Sequence, residues 1–143
     1  MADVKTILAF GDSLTWGANP GPGDRHSFDD RWPNALSVAL NGKVRVIEEG
    51  MNGRTTVFPD PTATPERNGS VALPILLMSH QPIDLLIIML GTNDRYWPLD
   101  ALNLYWDGQP GPKYVCYIPN NGHGLKDLPD EEREPPGSGI AER

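Results

Sequence analysis

Several features are scarce in this 143-residue chain. A single cysteine, Cys116, excludes an internal disulfide bond and fits a reducing compartment. The longest apolar run, Leu85 to Leu90, is far too short to span a bilayer. The N-terminus lacks the basic, apolar and small-residue regions of a signal peptide. We therefore predict a cytoplasmic protein with no membrane partner.

Basic residues and clustered histidines are also scarce. There are 12 basic and 19 acidic residues, and the formal net charge is -7, which argues against nucleic acid as a partner. The three histidines, His26, His80 and His123, stand far apart without the paired spacing of metal ligands. We expect no metal and no cofactor.

Four short apolar segments are typical of β-strands, and the third is continuous, as in a strand buried in a parallel sheet. Helical periodicity occupies residues 31–40 and 71–79, and the second helix begins either before Pro74 or at it. This alternation predicts an α/β fold with a parallel sheet. The predicted strands are Thr6–Phe10, Lys43–Glu48, Leu85–Leu90 and Tyr114–Ile118.

The composition changes near residue 125. Residues 1–125 are long enough to form a single domain with a buried core. Residues 126–143 are acidic and rich in proline and glycine, so we expect this tail to be poorly ordered.

A serine directly follows the first predicted strand, within Phe10-Gly11-Asp12-Ser13-Leu14-Thr15-Trp16-Gly17. The carboxyl end of the first strand of an α/β sheet is where such folds place their active sites. The flanking glycines allow a tight turn, and the unpaired N–H groups of a following helix suit a developing oxyanion. Ser13 is therefore a candidate nucleophile. The alternative is that Asp12 and Ser13 simply cap a helix.

Two further segments follow the second and third predicted strands. In Gly50-Met51-Asn52-Gly53-Arg54-Thr55-Thr56, a glycine can bring its backbone N–H close to a ligand. Gly91-Thr92-Asn93-Asp94 offers a side-chain amide that suits a tetrahedral oxyanion, although such a string alone is more typical of a turn.

Together these segments resemble the first three blocks of the SGNH (GDSL) hydrolase superfamily, and its arylesterase-like members in particular, over residues 5–94. The resemblance implies a three-layer α/β/α, flavodoxin-like parallel sheet of about four strands, here shortened at the C-terminus. It implies a serine carboxylic-ester hydrolase for small-molecule esters with short acyl chains, acting through an acyl-enzyme, with acyl transfer to alcohols as a second outcome. Ser13 is then the nucleophile, and the N–H groups of Ser13 and Gly53 with the Asn93 side chain form the oxyanion hole.

The fourth block of that superfamily, Asp-x-x-His, is matched only in part. His123 is available as the general base, but Asn120 stands where the orienting aspartate belongs. In serine proteases the corresponding change to asparagine lowers kcat by about 10⁴. The acid that orients His123 is therefore open, with Asp107, Asp127 and Asp130 among the candidates.

Residues 91–125 resemble instead the C-terminal part of the PhoPQ-activated pathogenicity-related family, which has an α/β-hydrolase fold. This suggests a chimeric chain joined near residues 91–94. The second resemblance implies Asp94 as the acid that orients His123. With strand order 2-1-3-4, the loops that carry Ser13, Asp94 and His123 would lie side by side.

Two alternatives remain open. The chain could be a catalytically impaired hydrolase domain that binds esters but lacks a working base. It could also complete its site as a homo-oligomer, because a sheet without its last strand leaves an edge open to a partner.

Overall fold

A computed structural model describes residues 4–21, 23–57, 59–60, 66–94, 114–119 and 140–142. The helices and strands within these ranges are β1 (Lys5–Gly11), α1 (Ser13–Trp16), α2 (Trp32–Ala39), β2 (Val44–Gly50), α3 (Gly69–His80), β3 (Leu85–Leu90), β4 (Tyr114–Pro119) and β5 (Ile140–Glu142). A 3₁₀ helix at Phe28–Asp30 lies between α1 and α2.

The strands form one sheet in the order β2-β1-β3-β4-β5. The first four strands are parallel to one another, which confirms the predicted α/β fold. Their order is 2-1-3-4, the order that would place the loops after β1, β3 and β4 side by side. β5 is antiparallel to β4 and lies within the C-terminal segment, where no strand was predicted. It takes up backbone hydrogen bonds at the edge of β4 that would otherwise be unpaired.

The core lies around the two central strands, β1 and β3. Their apolar residues are buried on both faces, which explains why neither strand shows simple alternation of apolar and polar residues. α3 contributes Leu73 and Leu77 to the same core. The largest fully buried side chains of the strands are those of Leu8, Phe10, Leu86, Ile88 and Leu90.

Helices cover both faces of the sheet. Successive side chains of a strand point to opposite faces. Oε2 of Glu48 accepts a hydrogen bond from Nδ2 of Asn34 in α2 at 2.8 Å, whereas Oε1 of Glu49 lies 2.9 Å from Nε2 of His80 in α3. The two helices therefore lie on opposite sides, and the fold has the predicted three layers.

The helix ends follow from local sequence. α2 is followed by Asn41 and Gly42 with φ of 54° and 68°, the left-handed conformation typical of a helix C-terminus. α3 begins before Pro74, because the Asn68 side chain caps it by accepting from the Ser70 N–H at 3.0 Å. Within the described ranges, no helix combines the length and apolar character needed to cross a membrane.

Candidate active site

Ser13 is the first residue of α1, immediately after β1. The preceding Asp12 is fully buried, and its Oδ1 accepts a hydrogen bond from the Leu14 N–H at 3.0 Å. Asp12 thus caps the helix, and the Ser13 hydroxyl has no hydrogen-bond partner in the described part of the chain. The capping role and the nucleophile role therefore fall on different residues and do not exclude each other.

Two glycines let α1 lie directly on the ends of β1 and β2. Gly11 and Gly50 are register partners at the last positions of these strands. A Cβ on Gly50 would collide with the backbone N of Trp16 and lie 2.6 Å from its Cα. A Cβ on Gly11 would lie 2.8 Å from the carbonyl oxygen of Met89. Close backbone packing, which only glycine allows here, fixes the helix that carries Ser13.

The loop after β2 brings Gly53 to the same end of the sheet. The Met51 N–H donates to the carbonyl oxygen of Gly11 at 3.2 Å, which links this loop to the turn before Ser13. The Arg54 N–H donates to Met51 O at 3.1 Å, and Gly53 has a φ of 77° within that turn. Such a left-handed φ favours glycine at this position.

Arg54 anchors this loop to the ends of β1 and β2. Its side chain is buried, and Nη1 donates to the carbonyl oxygens of Gly11 at 3.1 Å and Glu49 at 2.6 Å. The guanidinium carbon lies 4.2 Å from the centre of the Phe10 ring, which adds a cation–π interaction. The contact with Gly11 ties the loop to the end of β1, so Arg54 holds the loop in place at this edge of the sheet.

The third segment is tied to the same loop. Nδ2 of Asn93 donates to the carbonyl oxygen of Arg54 at 3.0 Å, and Oδ1 of Asp94 accepts from the Thr56 N–H at 2.9 Å. Two adjacent side chains reach one loop because the chain turns here, with the Asp94 N–H donating to Gly91 O at 3.1 Å. The structure therefore brings the segments of Ser13, Gly53 and Asn93 together at the carboxyl end of the sheet.

The carboxyl groups of Asp12, which is buried, and of Asp94, which is partly buried, have raised pKa values. Burial raises the pKa of Asp12 above its ordinary 3.8, against the opposing effects of the Leu14 and Asp12 N–H groups, the Thr92 side chain and the Arg54 charge. Burial also raises the pKa of Asp94, and the Asp12 charge adds to it, while the Thr56 N–H and hydroxyl lower it. Oδ2 of Asp94 is buried and accepts no hydrogen bond from any described residue.

The remaining candidates cannot be placed. His123 and Asn120 lie outside the described residues, as do Asp107, Asp127 and Asp130. The strand that precedes His123 in sequence, β4, lies beside β3, as the predicted arrangement of loops requires.

The sequence profile of the GDSL-like lipase/acylhydrolase family matches residues 9–123. This chain belongs to that family. The match continues through residues 91–94 and gives no support to a junction with another family there. No curated protein matches the chain.

Solved structures agree with this assignment. A protein from Agrobacterium tumefaciens str. C58 assigned as an arylesterase is 56% identical, with a TM-score of 0.61 over 63% of this chain and 43% of its own. A carbohydrate acetylesterase family member from Sinorhizobium meliloti is 36% identical, with a TM-score of 0.71 over 80% of this chain and 62% of its own. The inhibitor-bound aryl esterase of M. smegmatis is 39% identical, with a TM-score of 0.71 over 80% and 63%. This chain thus spans between 43% and 63% of the length of these structures.

Proposed function

We propose that this chain is a serine carboxylic-ester hydrolase that acts on small esters with short acyl groups such as acetyl. The observation that carries the proposal is the hydrogen-bonded assembly of three loops, which bear Ser13, Gly53 and Asn93, at the carboxyl end of one parallel sheet. This is the location at which open α/β sheets bind their ligands. The arylesterase and acetylesterase relatives support the same substrate class.

In the proposed reaction, Oγ of Ser13 attacks the ester carbonyl while His123 takes the hydroxyl proton. The tetrahedral oxyanion accepts hydrogen bonds from the N–H groups of Ser13 and Gly53 and from the Asn93 amide. His123 then passes the proton to the departing alkoxide, which leaves an acyl-Ser13 ester. Water attacks this acyl-enzyme and releases the acid, and an alcohol in its place gives acyl transfer.

The Asn93 amide can serve the fold and the oxyanion at once. A primary amide carries two N–H donors. One of them is used by the carbonyl oxygen of Arg54, which fixes the direction of the amide. The second remains for the oxyanion. A donor held in place before the reaction needs no reorganisation during it, which is the basis of its effect on rate.

Asp94 is our proposal for the acid that orients His123. Its Oδ1 is occupied by the Thr56 N–H, whereas its Oδ2 is free of hydrogen bonds from the described residues. We assign that second oxygen to an N–H of the His123 ring, the role that the buried aspartate has in serine proteases. An imidazolium at this position would favour the ionised carboxylate, against the effect of burial on its pKa.

The proposal is tested by the hydrolysis of 4-nitrophenyl acetate by the wild type, Ser13→Ala and His123→Ala. A loss of about 10³-fold or more in kcat in both variants is expected for residues that act as one unit. A loss in Ser13→Ala alone would move the base elsewhere, with His26 and His80 as the next residues to substitute. A wild type without Ser13-dependent activity would instead favour an impaired hydrolase domain, the alternative that Asn120 suggests.

A further inference from the structure

The side chain of Arg67 lies against Gly53, the residue whose N–H we assign to the oxyanion. A Cβ on Gly53 would be 3.3 Å from Nε of Arg67, 3.6 Å from its Cδ and 4.0 Å from its Cζ. The guanidinium thus packs on the glycine itself. The Arg67 backbone is held there by its carbonyl oxygen, which accepts from the Thr55 N–H at 2.9 Å and from the Thr55 hydroxyl at 3.3 Å.

The charge of Arg67 has no partner among the residues that the structure describes. Three other arginines of the described residues at this end of the sheet are engaged: Arg25 and Arg31 share the Glu48 carboxylate, and Arg54 donates to two carbonyl oxygens. A guanidinium has five N–H donors and stays charged at any pH the protein meets. Arg67 is partly buried, and its side chain makes no hydrogen bond or ion pair with the residues that the structure describes, although acidic residues outnumber basic ones in the sequence.

The N-terminus of α3 follows Arg67 directly, but its first N–H groups are already used in hydrogen bonds and cannot bind an anion. The Gly69 N–H donates to Thr55 O and the Ser70 N–H to Thr56 O, each at 2.9 Å. The positive end of this 12-residue helix still adds to the local potential. An anion at this place would therefore be contacted by the guanidinium, with the helix dipole in support.

We infer that Arg67 is a specificity-determining residue that favours esters carrying a carboxylate near the scissile bond. The inference rests on the proposed function and adds a substrate class to it. The carboxylate can belong to the acyl group, as in a succinate half-ester, or to the alcohol, as in an acetylated hydroxybenzoate. The hydrolysis is the same in both cases, and the guanidinium binds the carboxylate without taking part in bond breaking.

The test compares each ester that carries a free carboxylate with the corresponding uncharged methyl ester. For the acyl side the pair is mono-4-nitrophenyl succinate and its methyl ester. For the alcohol side it is 4-acetoxybenzoate and methyl 4-acetoxybenzoate. The measured quantity is the ratio of kcat/KM for the charged ester to that for the neutral one, in the wild type, Arg67→Gln, Arg67→Lys and Arg45→Gln. Arg45 is an exposed residue of β2 and serves as the matched control for loss of one positive charge.

A charged hydrogen bond to a ligand is worth a factor of roughly 10 or more. We therefore expect Arg67→Gln to lower the ratio about tenfold or more in one of the two pairs, which identifies the side that carries the carboxylate. Arg67→Lys should keep part of the preference, and Arg45→Gln all of it. Added salt should lower the wild-type ratio.

Two results would overturn the inference. One is a ratio in Arg67→Gln within about threefold of the wild type for both pairs. The other is an equal loss for charged and neutral esters, which would make Arg67 a packing residue of the oxyanion loop. Failure of the proposed function looks different, because 4-nitrophenyl acetate would then show no Ser13-dependent hydrolysis in the wild type.

Discussion

Substitution of Gly50 by alanine tests whether the close packing of α1 on the sheet positions the nucleophile. The new Cβ would collide with the backbone N of Trp16 and lie 2.6 Å from both the Trp16 Cα and the Thr15 carbonyl carbon. Optimal separations between carbon atoms are about 3.5–4.0 Å, so α1 would have to move away from β2 by roughly 1 Å. Because the atoms that the new Cβ would meet belong to the backbone, a change of side-chain rotamer cannot remove the clash.

That displacement acts on stability and on rate together. Overpacking of this kind costs about 1–3 kcal/mol of unfolding free energy. At roughly 3–4 °C per kcal/mol for a domain of this size, Tm should fall by several degrees. Since α1 carries both Oγ and the N–H of Ser13, a shift of about 1 Å should also lower kcat/KM by up to about 100-fold.

The assay is 4-nitrophenyl acetate hydrolysis together with thermal unfolding, at a temperature where the variant remains folded. Gly21→Ala is the matched control, because its Cβ would meet nothing closer than the Asn19 Oδ1 at 3.4 Å. The control should keep both kcat/KM and Tm. A Gly50→Ala variant that keeps kcat/KM within about twofold of the wild type would refute the argument that this packing positions Ser13.

Three further predictions concern the buried polar groups. Asp94→Asn should lower kcat by a factor approaching the ~10⁴ seen in serine proteases. The loss would come from the missing carboxylate charge, because the asparagine keeps an oxygen that can accept from the Thr56 N–H. If Asp94→Ala loses activity and Asp94→Asn does not, Asp94 positions the loop and does not orient His123. In the His123→Ala background no imidazolium opposes burial, which raises the Asp94 pKa, so the unfolded chain ionises first and the folded state loses stability as pH rises from about 3.8 through the folded-state pKa. The difference in unfolding free energy between Asp94→Asn/His123→Ala and His123→Ala, from urea titrations, should therefore shift in favour of the double variant over that window, and a pH-independent difference contradicts this. Arg54→Met leaves the carbonyl oxygens of Gly11 and Glu49 without this donor and should cost about 1–3 kcal/mol for each in the same titrations; a loss below about 0.5 kcal/mol would show that water replaces it.

The fold could be predicted because its strands and helices are strongly patterned. β3 has the predicted bounds, since Leu85–Leu90 is apolar throughout and bounded by polar residues. β1 and β2 extend further than predicted, to Gly11 and Gly50, because these paired glycines continue the strands beneath α1. β5 was missed because three residues are too few to show a period, and its pairing with β4 joins residues distant in sequence.

Candidate site residues could be predicted from the sequence only where they belong to a local sequence motif. Ser13, Gly53 and Asn93 each follow a strand within a recognisable segment, and their segments do meet at the carboxyl end of the sheet. The buried position of Arg54 and the approach of Arg67 to Gly53 depend on tertiary packing. Nothing in the sequence distinguishes Arg67 from arginines of the surface. The roles of Ser13, Gly53, Asn93 and Asp94 remain predictions, and His123, the proposed partner of Asp94, lies outside the described residues.

A trapped acyl-enzyme would identify the nucleophile. The protein would be mixed with 4-nitrophenyl acetate, quenched in acid during turnover, and analysed by intact-mass and peptide mass spectrometry. If Ser13 is the nucleophile, the mass increases by one acetyl group, located on Ser13 in the peptide that contains Gly11 to Gly17, and the increase is absent in Ser13→Ala. Acetylation at another residue, accompanied by an unchanged rate of hydrolysis in Ser13→Ala, would show that Ser13 is not the nucleophile.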